Sequence, residues 1–259
     1  MRKLLLAIVT LAPAILLAQS PFDGTWKTDL GKAKFSPKPI VFSVSNGMFD
    51  CSSCAPQINV KADGQDQPVT GQAYDTIAVK EVDPHSIQVV TKKDGKTMAE
   101  QMRSVSDDGK TLHIKTTSHP PDSDKPVMSE AELERTGAKP AAGANATSGS
   151  WKVKKVQEEE NGLLDTYKGN GNELTWSTPT GETWTARMDG QDYPVKGMYA
   201  YDAVSLKQAG NSGIELSYKR GGQLIEVDKM SISPDGKTMT TVVENKLNGR
   251  VSTFVAHKQ

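Results

Sequence analysis

The chain has little of what most enzymes and nucleic-acid binders carry. Its 259 residues include two cysteines, four histidines, four tryptophans and five phenylalanines. His85, His113, His119 and His257 stand singly, so no metal set is expected from their spacing. There is no Gly-x-Ser-x-Gly, no spaced Ser, His and Asp, and no glycine-rich phosphate cradle. No catalytic residue and no cofactor are therefore expected. Asp-Gly-Gln-Asp, which occurs twice, has too few converging oxygens for a calcium loop. An excess of one charge is missing as well: residues 19–136 hold 14 basic and 17 acidic side chains, and residues 149–259 hold 14 of each. Without a basic stripe there is no electrostatic footprint for nucleic acid or an anionic membrane. Helical patterning is absent too. Glu158–Glu160 and the stretch from Ala131 to Glu134 carry no apolar stripe, and they read as a loop and a strand.

Long apolar runs are confined to the amino end. Met1-Arg-Lys is followed by an apolar segment from Leu4 to Leu17, and polar residues begin at Gln19. This is the pattern of a secretory signal, residues 1–18, with cleavage expected after Ala18. The run is short of the roughly 20 residues that span a bilayer, and no later segment is apolar enough to cross. The protein is expected to be exported by a bacterium to a periplasmic or extracellular location.

What the chain does have is a repeat. Asp63-Gly-Gln-Asp-Gln-Pro-Val-Thr-Gly71 returns as Asp189-Gly-Gln-Asp-Tyr-Pro-Val-Lys-Gly197. Gly24-Thr-Trp-Lys27 returns as Gly149-Ser-Trp-Lys152, and Tyr74-Asp-Thr-Ile-Ala-Val-Lys80 as Tyr201-Asp-Ala-Val-Ser-Leu-Lys207. Two tandem copies are expected, 19–136 and 149–259. Between them, residues 137–148 are rich in Ala, Gly and Pro and read as a flexible linker. The sequon Asn145-Ala-Thr147 inside it is read as chance.

Each copy alternates apolar and polar residues, as in Ile40-Phe42-Val44, Ile77-Val79 and Ile214-Leu216-Tyr218, and also in Val251-Thr253-Val255. A period of two puts one row on a core face. The separators Asp94-Gly95, Asp108-Gly109, Gly221-Gly222, Asp235-Gly236 and Asn248-Gly249 supply the positive φ that hairpins need. Eight to ten short strands per copy form a meander, and closure into a barrel removes its edges. The expectation is all-β, two antiparallel barrels, with two β-sandwiches as the alternative. In the repeated nonapeptide, Asp-Gly makes a turn, Pro68 and Pro194 stiffen an edge or crossing segment, and Gly71 and Gly197 release it.

Gly-x-Trp at the start of a meander barrel resembles the lipocalins and fatty-acid-binding proteins. That resemblance implies that Trp26 and Trp151 close the barrel ends under a cationic side chain from near the last strand. Arg135 and Lys258, near the ends of the two copies, fill that role. The copies also resemble a group of exported bacterial repeats bearing Gly-Thr-Trp-Lys and Asp-Gly-Lys-Thr segments, which implies no particular activity.

Cys51-Ser-Ser-Cys54 reads as a local disulfide, since export favours oxidation and no helix N-terminus is present to make a redox centre. The second copy concentrates the aromatic residues. Trp176, Trp184, Met188, Leu206 and Tyr218 are the candidate lining of a cavity for a small apolar or amphipathic ligand. The competing expectation is a non-catalytic structural or interaction module of the cell envelope, with filled barrels and an exposed apolar patch.

Overall fold

A computed structural model describes residues 20–210 and 212–259, so the expected signal sequence and its cleavage site lie outside the described residues. The described chain is all-β: twenty antiparallel strands, with two single 3-10 turns at Leu30–Lys32 and Glu160–Gly162. The first copy contributes β1 (Gly24–Thr28), β2 (Ile40–Ser45), β3 (Met48–Cys51), β4 (Ile58–Lys61) and β5 (Gln67–Pro68). It continues with β6 (Thr76–Asp83), β7 (Ser86–Lys93), β8 (Lys96–Val105), β9 (Thr111–Ser118) and β10 (Val127–Arg135). The second copy repeats the series as β11 (Gly149–Glu158), β12 (Leu164–Asn170), β13 (Glu173–Ser177), β14 (Thr183–Arg187) and β15 (Asp192–Lys196). Its remaining strands are β16 (Ala203–Gln208), β17 (Gly213–Arg220), β18 (Gln223–Ile232), β19 (Thr238–Asn245) and β20 (Arg250–Lys258). The turn chemistry is as the sequence predicts: Asp94 and Gly95 take φ of 50° and 75°, and Gly221 and Gly222 take 57° and 79°.

The strands form two ten-stranded barrels, but the barrels are not the repeats. β1 leaves its own copy and pairs with β12 and β20, completing the second barrel (Trp26 opposite Asp165 and Lys258). In return β11 pairs with β10 and β2, completing the first (Trp151 opposite Arg135 and Ile40). The first strand of each copy is thus exchanged, and the unit boundaries expected from the repeat need this correction. The crossing segments are tied down where they pass: Thr28 N donates to Leu163 O at 2.9 Å, and Lys34 pairs with Thr253 through two 2.8 Å bonds. Residues 137–148 are not a free tether either. Asn145, Thr147 and Ser148 are buried, and Asn145 Nδ2 donates to Asp83 O at 2.8 Å. These bonds fix the tether against the first barrel, which composition alone does not reveal.

Both Gly-x-Trp motifs sit at a barrel end with the indole fully buried. Trp26 Nε1 donates to Phe22 O at 2.8 Å and Trp151 Nε1 to Thr147 O at 2.9 Å. Arg135 lies 4.0 Å from the Trp151 ring centre, and Lys258 Nζ lies 5.4 Å from that of Trp26. Because of the exchange, each cation covers the tryptophan of the other copy. The glycine is required by the cation. A β-carbon on Gly149 would come within 2.3 Å of Arg135 Nη1, and one on Gly24 within 2.7 Å of Lys258 Cε.

The second barrel closes completely, whereas the first remains open between β4 and β5. The repeated nonapeptide lies at this place in both. In the second barrel it forms β15, bonded on both sides. In the first it is the edge strand β5, and Gly71 packs beside Pro56, with Gln72 Nε2 donating to Pro56 O at 2.7 Å across the seam. One strand is read correctly but on the wrong face: Val251 is exposed, and Phe254 and Ala256 are the β20 side chains that line the interior.

Candidate functional site

Of the five candidate lining residues in the second barrel, Trp176 and Tyr218 border a cavity of about 310 Å³. Trp184 and Leu206 belong to the packed core and Met188 rests against it, half-buried. Trp184 positions the two that do line the cavity. Its ring stacks on Trp176 at 5.9 Å between centres, and its Nε1 donates to the Tyr218 hydroxyl at 3.2 Å.

The cavity wall also carries acids that the sequence did not single out: Asp165 on β12, Glu226 and Asp228 on β18, and Glu158 at the end of β11. Asp165 Oδ1 accepts from Trp176 Nε1 at 2.7 Å. Burial pushes the Asp165 carboxyl up to about 6, against the lowering effect of that hydrogen bond and with a further push from Glu182. Asp228 is raised well above the carboxylate range by burial, reinforced by Glu226 and Asp165. Glu226 is raised by burial, opposed by its hydrogen bond with Tyr201. Asp228 Oδ1 is fully shielded and has no hydrogen-bond partner in the protein. Tyr167 and Tyr218, also raised by burial, complete an aromatic wall.

These acids escaped sequence reading for a physical reason. Simple alternation along β18 puts Ile225 and Val227 inside and the acids in water. Pairing Tyr218 with Glu226 and Lys219 with Leu224 leaves Ile225 as an extra residue. That bulge turns Glu226, Asp228, Met230 and Ile232 inward.

The registers give the equivalences. Asp165, Trp176, Trp184, Tyr218, Glu226, Asp228 and Met230 correspond to Ile40, Cys51, Ile58, Thr91, Ala99, Gln101 and Arg103. The first barrel therefore replaces every inward acid of this set and gains one cation. Its cavity, about 580 Å³, is bordered by apolar side chains such as Ile58, Ile77 and Val89, by the Cys51–Cys54 disulfide and by Arg103. Arg103 Nη2 and Nε donate to Gln101 Oε1 at 2.7 and 3.1 Å, and its guanidinium lies 5.0 Å from the Phe42 ring centre. Burial lowers Arg103 to about 10, with Tyr74 acting in the opposite direction, so it stays charged at neutral pH. No carboxylate borders this cavity among the described residues. The second barrel contributes a substantial share of its lining, including Tyr201, Arg220, Ile225 and Arg250, and Tyr201 borders both cavities.

No protein-family model matches the chain, and no curated protein matches it in sequence. The homology that can be read is internal, between its own halves.

Proposed function

We propose that this is an exported binding protein, built on a lipocalin-like plan, whose barrels hold small apolar or amphipathic molecules. The observation that carries the reading is the cavity of about 580 Å³ at the first barrel, mostly apolar in its walls and bordered by Arg103, Arg220 and Arg250. Ligand pockets commonly fall in the range of about 300–1,000 Å³, mostly apolar with a few placed polar groups. Arg103 gives that cavity a head-group position for an anionic amphiphile. The likeness to lipocalins rests on Gly-x-Trp with its stacked cation at the barrel end. Export is supported by the amino-terminal pattern and by the Cys51–Cys54 disulfide, which suits an oxidising compartment.

An envelope-interaction module would present an apolar patch. The large exposed apolar side chains among the described residues are Met48, Val82, Met102, Met128 and Val251, spread over five strands. A catalytic reading would draw on the four raised carboxyl groups bordering the second barrel's cavity. Its cavity lining, however, brings no His, Ser or Cys to partner them.

The test is native mass spectrometry of detergent-free protein, with titration by a fluorescent fatty acid. Saturable uptake of one equivalent is expected, weakened about tenfold in Arg103→Gln by loss of a charge-assisted bond. No uptake at high micromolar ligand overturns the reading.

A further inference from the structure

The second barrel concentrates carboxyl groups and aromatic surface around one cavity. Four acids, Glu158, Asp165, Glu226 and Asp228, border a cavity of about 310 Å³, and no lysine, arginine or histidine is in its lining. Aromatic rings stand between them: Trp176 beside Asp165, Tyr218 next to Trp184, Tyr201 against Glu226, with Tyr167 on the same wall. The faces of such rings attract cations, most strongly when water is excluded. One polar atom is left over. Asp228 Oδ1 is shielded from solvent and has no partner. Buried polar atoms are paired in the great majority of cases, so an orphan facing a cavity calls for a cation or a hydrogen-bond donor from outside the chain.

We propose that this cavity binds a small organic cation, an amine or quaternary ammonium, with its charge held among Asp165, Glu226 and Asp228 and its body against Trp176, Tyr167 and Tyr218. The proposal rests on the reading that the barrel interiors hold ligands, and it names the ligand class for one of them. The volume suits a compact molecule, since it equals about ten waters at roughly 30 Å³ each. A metal ion is the weaker occupant: no grouping of three His, Cys, Asp or Glu suited to a metal occurs among the described residues.

The same groups set the pH dependence. Asp165 and Tyr167 face the cavity from β12, Tyr218 from β17, Glu226 and Asp228 from β18, Glu158 from β11 and Tyr201 from the loop before β16. Glu182 acts on Asp165, and Arg220 acts on Tyr201. A bound cation stabilises the ionised carboxylates, which burial disfavours in the empty barrel. Affinity therefore rises as pH rises through the free-state titration of Asp165, near 6, and of Glu226 and Asp228.

The experiment is titration calorimetry on the full chain with phenethyltrimethylammonium, whose charge is independent of pH. Its neutral carbon isostere and calcium chloride serve as comparisons, with tryptophan fluorescence as a second readout. One equivalent should bind, at least tenfold more tightly than the isostere and tenfold more tightly at pH 8 than at pH 5. Asp228→Asn, which removes the ionisable carboxyl at nearly the same side-chain shape, should lose at least tenfold, and Asp165→Asn a comparable amount. Equal binding of the isostere, competition by calcium at equal concentration, or unchanged affinity in the Asp165→Asn/Asp228→Asn double variant overturns the proposal. No cation binding while the fluorescent fatty acid still enters the first barrel overturns this inference alone. Failure of both probes overturns the general reading with it.

Discussion

The two barrels share a fold, a repeat and a bulge, yet their interiors have opposite signs. At the position where the second barrel holds Asp228 the first holds Gln101, and where it holds Met230 the first holds Arg103. Trp176, which walls the acidic cavity, is matched by Cys51, whose disulfide borders the basic one. The ends of the barrels show the reverse: buried Trp26 and Trp151, each under a cation and beside an obligatory glycine, are kept in both. Closure is thus a backbone and packing demand common to both copies, whereas the inward rows of β12, β13 and β18 vary freely once the barrel is closed. Two cavities of different charge on one scaffold are more readily explained by two ligand classes than by two ways of filling a core.

The strand exchange offers the largest way to break the comparison. Removing residues 20–28 deletes β1, which is the start of the first repeat but a wall of the second barrel. Hydrogen exchange should show the second barrel unprotected throughout and the first barrel intact. Loss of the buried Trp26 alone costs about 3–5 kcal/mol. Protection lost in the first barrel instead would refute the exchange.

A smaller effect comes from the glycines. Gly149→Ala forces a side chain into a φ of 144° against Arg135, which is fixed by bonds to Gly109 O, Ser148 O and Ala146 O. It should cost about 2–4 kcal/mol in chemical denaturation. Gly24→Ala meets the end of the flexible Lys258 and should cost about half as much. Equal losses would mean that the two closures are equivalent.

The pH dependence of stability should differ between barrels. Asp165, Glu226 and Asp228 have folded-state pKa values raised by burial. Their contribution is full below the unfolded value near 4 and is lost as pH rises through the folded values, about 6 for Asp165. The second barrel should lose on the order of 2 kcal/mol between pH 4 and 7 from Asp165 alone, followed by hydrogen exchange within each barrel. Asp165→Asn should flatten that slope, and the first barrel should show none of it. The smallest effect is expected from Cys51→Ser with Cys54→Ser. The loop they close has only three intervening bonds along the chain, so about 2 kcal/mol or less should be lost, all of it in the first barrel.

Much of this was legible in the sequence, for identifiable reasons. Asp-Gly and Asn-Gly turns and period-two rows locate about half of the strands outright, and the Trp-cation pair at the barrel ends is what the lipocalin resemblance implies. The exchange was not legible, because Gly24-Thr-Trp-Lys27 and Gly149-Ser-Trp-Lys152 are close enough to complete either barrel. What decides between them is the three-dimensional path of the crossings, 29–39 and 159–163, which local patterning does not encode. The buried acids were hidden by one extra residue at Ile225, and Val251 was put inside because β20 alternates evenly whichever face is turned inward.

The central claim is that one duplicated scaffold presents two interiors of opposite charge to two kinds of ligand. The most direct measurement is native mass spectrometry of the full chain with phenethyltrimethylammonium and a fatty acid, separately and together. One equivalent of each, bound at once and without competition, with Asp228→Asn weakening the first and Arg103→Gln the second, each about tenfold or more, is the predicted result. Mutual displacement, or loss of both ligands on either substitution, would contradict it.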